Sequence, residues 1–161
     1  MALTDSQLQA LKTHIEGDPA LNAFPNTPDG NFALADVMNA PSQNPAIIVW
    51  RTQILSSELI ANMVWTEYIA RTAAERDAWR FLTEQGSIDA SSPNVRQGIQ
   101  DMFSGAGGAT TRAQLIEIAK RTARQIEALY AVGAGTDQNP ATLTFQGTIT
   151  YEDVTAARNL P

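Results

Sequence analysis

The chain contains no cysteine, a single histidine and few aromatic residues. Without cysteine it has neither disulfides nor thiolate chemistry. The histidine, His14, falls on a predicted N-terminal helix with no nearby serine and aspartate that would complete a nucleophilic triad. We therefore interpret His14 as a structural residue at or near the surface, and we do not expect an enzyme.

Long apolar runs are also absent, since no run approaches the roughly 18 residues that span a bilayer. The N-terminus lacks the charged-then-apolar layout of a signal peptide. These absences predict a soluble protein made inside the cell, with no membrane association. Eleven Lys and Arg against 17 Asp and Glu give a net charge of −6, contrary to the footprint of a nucleic-acid binder.

Neither a metal site nor a cofactor site is predicted. Asp29-Gly30-Asn31 begins like a calcium loop, but Ala33 and Ala35 stand where oxygen ligands belong. The segment Gly105–Gly108 lacks the spacing and the preceding strand of a phosphate-binding loop, which favours a turn between helices.

The pattern of apolar residues predicts a mainly α protein, and the length of 161 residues predicts one compact domain. Capping boxes mark three helix starts, at Thr4 with Gln7, at Thr72 with Glu75, and at Thr150 with Asp153. Further helices are predicted from about Asn31 to Asn39, from Ser56 or Ser57 to about Val64, and from Pro93 to about Phe103. The longest helix is predicted from Thr110 or Thr111 to about Val132.

Two segments have strand-like composition. Ala46–Trp50 is a short apolar run that we interpret as an extended linker, because no partner strand lies nearby in the sequence. Thr142–Tyr151 alternates apolar and polar residues, with Leu143, Phe145, Ile149 and Tyr151 on one face. A turn at Gln146-Gly147 would make it a small hairpin; otherwise it is one strand that finds a partner elsewhere.

The resulting fold class is a small helical bundle with one long helix and a short C-terminal strand or hairpin. Residues 1–135 form the helical domain, and residues 136–161 form an extended C-terminal arm that ends in a helical turn. The tryptophans Trp50, Trp65 and Trp79 either anchor an interface or pack in the core.

Six residues are candidates for partner binding. The apolar face of the arm, formed by Leu143, Phe145, Ile149 and Tyr151, is a candidate docking surface, either for a neighbouring sheet or groove or for the helices of the same chain. Arg121 and Arg124 belong to a basic run with Lys120, which either contacts an acidic partner or nucleic acid or is a solvated helix face.

Several segments resemble a family of tailed-bacteriophage proteins encoded among the head and neck genes. The similarity is carried by Asp18-Pro19, Pro25–Gly30, Val49–Thr52, Ala90–Arg96, Lys120–Asp137 and Pro140–Val154. It covers nearly the whole chain.

The resemblance implies a structural virion protein, a head-to-tail connector or adaptor. Such a protein is assembled in the bacterial host cytoplasm and forms a homo-oligomeric ring in the neck. It binds the portal protein and the next neck or tail component, and DNA passes nearby without specific binding. The resemblance leaves open a capsid decoration or tail-completion protein, and a small cytoplasmic enzyme or regulatory protein is the alternative from another class.

Overall fold

The structure is a computed structural model that describes residues 3–161, and it divides the chain into two compact units. Unit 1 comprises Met1–Ile48 and Thr122–Pro161, and unit 2 is the inserted segment Val49–Arg121. The expected single domain is therefore replaced by two units, and the division does not fall at residues 135 and 136. The C-terminal residues belong to the same unit as the N-terminal ones.

Helix predominates, as the sequence predicts. Within residues 3–161 there are ten α-helices, one 3-10 turn at Ala106–Gly108 and six short strands. The helices are α1 Asp5–Gly17, α2 Pro19–Asn22, α3 Pro28–Asn39, α4 Ser56–Ala61, α5 Trp65–Ile69, α6 Ala73–Thr83, α7 Pro93–Met102, α8 Ala109–Ile118, α9 Gln125–Leu129 and α10 Tyr151–Arg158. The strands are β1 Ile48–Trp50, β2 Ile54–Leu55, β3 Ser87–Ile88, β4 Lys120–Thr122, β5 Ala131–Val132 and β6 Thr142–Leu143.

The three predicted capping boxes are confirmed. Thr4, Thr72 and Thr150 each accept a hydrogen bond from the backbone three residues on, and the side chain at that third position accepts one from the cap backbone. Local side-chain chemistry therefore determines where α1, α6 and α10 begin. None of the helices in the described part of the chain is long and apolar enough to cross a membrane.

The predicted long helix from residue 110 to 132 is wrong. Helix α8 ends at Ile118, strand β4 follows, and the separate short helix α9 begins after Arg124. Strand β4 pairs with β1, so the prediction that residues 46–50 lack a sheet partner is wrong for the same reason. The partner of β1 lies inside the segment whose spacing suggested a helix, and long-range pairing outweighed that periodicity.

The C-terminal arm forms neither a long strand nor a hairpin at Gln146-Gly147. Only Thr142–Leu143 is a strand, and it pairs antiparallel with β5, placing Leu143 opposite Ala131. Beyond it the chain is irregular, and Gly147 has a φ of 138°, a conformation that side-chain-bearing residues rarely adopt. Phe145 and Ile149 are buried in the core of unit 1. The arm is thus part of a folded unit.

The core of unit 1 is built mainly by α1, α3 and α10, and α10 packs on both of the others. Its most deeply buried side chains, at most 1% exposed, are Leu11, Ile15, Leu34, Met38, Ile126 and Val154. Unit 2 has its own core, in which the rings of Trp79 and Phe103 meet edge to face at 5.2 Å between centroids. Strands β2 and β3 pair there with Ile54 opposite Ile88.

A fully buried carboxylate fixes the C-terminal part of unit 1. Glu127 accepts hydrogen bonds from the backbone N–H of Arg124 at 2.9 Å and from that of Gly147 at 3.1 Å. The Arg124 guanidinium lies 3.4 Å away and supplies the opposite charge. Glu127 therefore caps α9 and holds the turn at Gly147 at the same time.

Replacing this carboxylate is expected to destabilise unit 1. Glu127→Ala leaves two backbone N–H groups and a guanidinium without their acceptor, and we expect a loss of about 3 kcal/mol in the free energy of unfolding. Urea denaturation followed by far-ultraviolet circular dichroism measures it. The control is Glu84→Ala, whose side chain is 66% exposed beside Arg80, itself 68% exposed, with an expected loss below about 1 kcal/mol. If both variants lost the same free energy of unfolding, Glu127 would not hold α9 and the turn at Gly147 together.

Unit 2 has a comparable carboxylate at the start of α8. Glu67 accepts hydrogen bonds from the backbone N–H groups of Thr111 at 2.8 Å and Thr110 at 3.2 Å. These bonds, led by the Thr111 backbone, lower the pKa of Glu67 to about 2. The turn before α8 is also tied down, since Arg71 donates to the carbonyl oxygens of Ser104 and Gly107. The glycine-rich segment is an interhelical turn, as predicted.

Because the pKa of Glu67 is lowered in the folded chain, unit 2 loses stability as the pH falls into the acid range. A carboxylate with a depressed pKa contributes its stabilisation above the pKa of the unfolded chain and loses it as the pH falls towards the folded value. We expect the melting temperature of wild type to fall between about pH 5 and pH 2, and that of Glu67→Gln to fall less. All three tryptophans lie in unit 2, so tryptophan fluorescence reports the transition. If the melting temperatures of wild type and Glu67→Gln fell equally with pH, Glu67 would not be the group responsible. The control is Glu84→Gln, which should keep the pH dependence of wild type.

Candidate functional site

The best-defined candidate site is a cleft in unit 1 between α3 and the start of α10. It has a volume of about 330 Å³. Its apolar lining is formed by Phe32, Ala35, Ile149 and Tyr151, and its polar lining by Asp36, Asn39, Thr150 and Glu152. We refer to it below as the cleft.

Helix spacing explains why α3 supplies half of this lining. Phe32, Ala35, Asp36 and Asn39 follow one another at intervals of three, one and three residues, which places them on one face of the helix. Thr27 caps the helix and Pro28 occupies its first position, so the helix begins early enough to include Phe32.

Hydrogen bonds hold the opposite wall against α3 at two places. At the C-terminal end of α3, the Asn39 side chain donates to the carbonyl of Ile149 at 2.8 Å and accepts from its N–H at 2.9 Å. At the N-terminal end, the buried Asn31 donates to the hydroxyl of Thr155 at 2.9 Å and accepts from Arg158 at 2.8 Å. Because both ends are fixed, the cleft exists before any partner arrives.

Two exposed aromatic rings form the mouth of the cleft. Phe32 and Tyr151 stack with their centroids 6.0 Å apart and their planes inclined by 27°. Phe32 is 58% exposed and Tyr151 is 38% exposed. An aromatic pair that remains so accessible in a folded unit is typical of a contact surface.

The cleft is acidic at its edge. Asp36 and Glu152 line it, and none of the described residues around it is a lysine or arginine. Hydrogen bonds from the side chains of Thr150 and Tyr151 lower the pKa of Glu152, and the bond with Glu152 raises the pKa of Tyr151. Glu152 is therefore charged and Tyr151 neutral at physiological pH.

The net charge of the protein is concentrated in the unit that contains the cleft. Unit 1 has three Lys and Arg against nine Asp and Glu, whereas unit 2 has eight of each. The whole net charge of −6 therefore belongs to unit 1, the unit that contains the cleft.

The structure does not bring the six predicted partner-binding residues together. Ile149 and Tyr151 line the cleft, but Ile149 is only 3% exposed. Phe145 is buried against Tyr130, with ring centroids 5.5 Å apart, and Leu143 is half-buried in β6. The apolar face of the arm is therefore mostly core, because the arm folds back onto unit 1.

The two arginines lie elsewhere. Arg124 pairs with Glu127, and Arg121 is half-buried in β4 at the end of unit 2. Because residues 120–124 are not helical, the basic run does not form the helix face that the sequence suggested. His14 is half-buried on α1, in agreement with its interpretation as a structural residue.

Sequence reasoning missed the contribution of α3. It predicted the helix from about Asn31 to Asn39, in which Ala35 and Met38 are buried, but not that Phe32 remains exposed on this helix. The missed signal is the pairing of an aromatic with an acidic residue at helical spacing, Phe32 with Asp36.

A second feature lies in unit 2, where five large apolar side chains are exposed. Leu55, Ile60, Trp65, Ile69 and Phe81 are between 40% and 70% exposed, and all fall within residues 55–81. We call them the exposed apolar set. Trp65 and Ile69 are four residues apart on α5 and therefore share a face. Of the three tryptophans, Trp79 is in the core and Trp65 belongs to this set.

No protein-family model, no curated protein and no solved structure matches this chain. In residues 3–161 there is also no group of three or more His, Asp or Glu side chains arranged to hold a metal ion.

Point substitutions distinguish the core from the surface of the C-terminal segment. Phe145→Ala creates a cavity beside Tyr130 and should cost about 3–5 kcal/mol in the free energy of unfolding. Tyr151→Ala removes an exposed ring and should cost less than about 1 kcal/mol. Urea denaturation measures both. A docking arm that is free in solution would instead tolerate both substitutions equally.

Proposed function

We propose that this chain is a structural protein of a tailed-phage virion, a head-to-tail connector whose copies associate into a ring in the neck. The sequence resemblance suggests the setting. The observation that carries an assembly role is the exposed apolar set of unit 2. Soluble monomers seldom keep so many large apolar side chains accessible within so short a segment, because association buries them.

Charge supports self-association through unit 2. Two copies of unit 1 repel each other, since each carries −6, whereas unit 2 is neutral and its exposed apolar side chains face no such penalty. Contacts between copies through unit 2 leave the acidic unit 1 available for other components. A negative surface also suits a channel through which DNA slides, because like charge suppresses phosphate contacts.

The folded C-terminal segment changes how such a connector would bind the portal. Phe145, Ile149, Val154 and Ala157 are core residues, so the segment is not a free arm that reaches onto another protein. In this proposal the portal contacts preformed surfaces of the two units. Deleting residues 140–161 would unfold unit 1 and is therefore not a test of docking.

The test is the copy number of the chain in purified particles of the phage that carries its gene. Quantitative mass spectrometry should find about one copy per portal subunit, as a ring seated on the portal requires. The double variant Trp65→Ser with Ile69→Ser should reduce that ratio at least several-fold, because it removes the apolar contact between copies.

The matched control is Val132→Ser, which alters an apolar residue that is 60% exposed in unit 1 and should leave the ratio unchanged. A ratio near that of the major capsid protein would make the chain a shell component and contradict the proposal. Absence from the particles would contradict any virion role.

A further inference from the structure

The cleft combines an apolar interior, an aromatic mouth and an acidic edge. We infer that it binds a basic segment of a different protein, which inserts one aromatic or long aliphatic side chain between flanking lysines or arginines. This inference goes beyond the connector proposal, because it assigns a partner chemistry to unit 1 whatever particle the chain belongs to.

The size and preorganisation of the cleft suit a single apolar side chain. A volume of about 330 Å³ is at the lower end of ligand pockets, which suits one large side chain. Phe32 and Tyr151 stack on each other and line the cleft together with Ala35 and Ile149, and the small side chain of Ala35 takes up little of its volume. The hydrogen bonds of Asn39 to Ile149 fix both walls, so binding incurs little ordering cost.

Carboxylates surround the entrance of the cleft. Asp36 on one wall and Glu152 on the other place two carboxylates around one apolar opening. The excess of nine acidic over three basic residues in unit 1 extends the negative potential beyond the cleft. A partner with cations on both sides of its apolar side chain matches this arrangement, and an acidic partner is repelled. The exposed rings also attract cations through their faces.

A second copy of this chain is a poorer occupant than a basic partner. Its exposed apolar set lies in unit 2, which has no net positive charge. Phe81 has Arg80 beside it, but Arg80 already lies 3.5 Å from both Asp77 and Glu84. The cation beside Phe81 is therefore compensated, and the Arg76 guanidinium near Ile69 already donates to the backbone carbonyls of Ile69 and Arg71.

The test uses the full chain and a fluorescein-labelled peptide of sequence Gly-Lys-Lys-Phe-Leu-Lys-Lys-Gly. Two further peptides separate the contributions, one with Ser-Ser in place of Phe-Leu and one with glutamates in place of the lysines. Fluorescence anisotropy should show that both bind at least about tenfold more weakly than the first. Added salt should weaken binding of the first peptide.

Variants locate the binding at the cleft. Phe32→Ala removes one exposed ring and should weaken binding about tenfold or more. Asp36→Asn should weaken it about two- to fivefold, the range of an exposed ion pair. The matched control is Glu16→Gln, which makes the same charge change in the same unit on α1, where the side chain is 61% exposed, and should leave binding unchanged. Circular dichroism confirms that each variant is folded.

Four outcomes would overturn the inference. Unchanged binding to Phe32→Ala would place the peptide elsewhere, and equal loss from Glu16→Gln and Asp36→Asn would reduce the effect to net charge. Equal binding of the glutamate peptide would remove the charge argument. Self-association of wild type that is abolished by Phe32→Ala, measured by sedimentation velocity, would make a second copy the occupant. The connector proposal is tested separately by copy number in particles.

Discussion

The buried carboxylate of Glu127 is the interaction on which the organisation of unit 1 depends. It accepts the N–H groups of Arg124 and Gly147, so one side chain both begins α9 and fixes the turn that directs the C-terminal segment back into the unit. Beyond that turn, Ile149 meets Asn39 and α10 packs on α3. A buried carboxylate destabilises a fold unless its oxygens accept hydrogen bonds. For Glu127 the donors are the backbone N–H groups of Arg124 and Gly147, which lie in two separate parts of the chain. The cleft therefore depends on this turn, because it brings the C-terminal segment back against α3.

The two units differ in the physical properties that govern association. Unit 1 carries the entire net charge and a preformed cleft, whereas unit 2 is neutral and keeps several large apolar side chains exposed. In the connector proposal, electrostatic repulsion between copies of unit 1 favours contacts through the neutral unit 2, and the acidic unit 1 favours a basic partner. A protein with two such surfaces is suited to join copies of itself and to bind something else at the same time. This is the property that the proposed connector role requires.

The folded C-terminal segment also narrows the connector proposal. Residues Pro140–Val154 supply Phe145, Ile149 and Val154 to the core of unit 1. The main role of this segment is therefore packing within unit 1. Partner contacts depend on side chains that remain accessible, such as Tyr151 at the mouth of the cleft and Trp65 on α5. Within Pro140–Val154, Tyr151 is therefore accessible for the proposed binding, Phe145 and Val154 serve packing, and Ile149 both packs in the core and lines the cleft.

The sequence alone determined the features that depend on neighbouring residues. The capping boxes at Thr4, Thr72 and Thr150 predicted three helix starts correctly, since their hydrogen bonds close within three residues. Of the residues that line the cleft, the sequence analysis named Ile149 and Tyr151 as candidates for partner binding. It named neither Phe32 nor Asp36, because nothing in the sequence indicates that α3 and α10 are adjacent. Only the tertiary structure decided that residues 110–132 divide into two helices and two short strands. Their β4 strand pairs with β1 about 70 residues earlier, and pairing over such a separation leaves no mark on local periodicity.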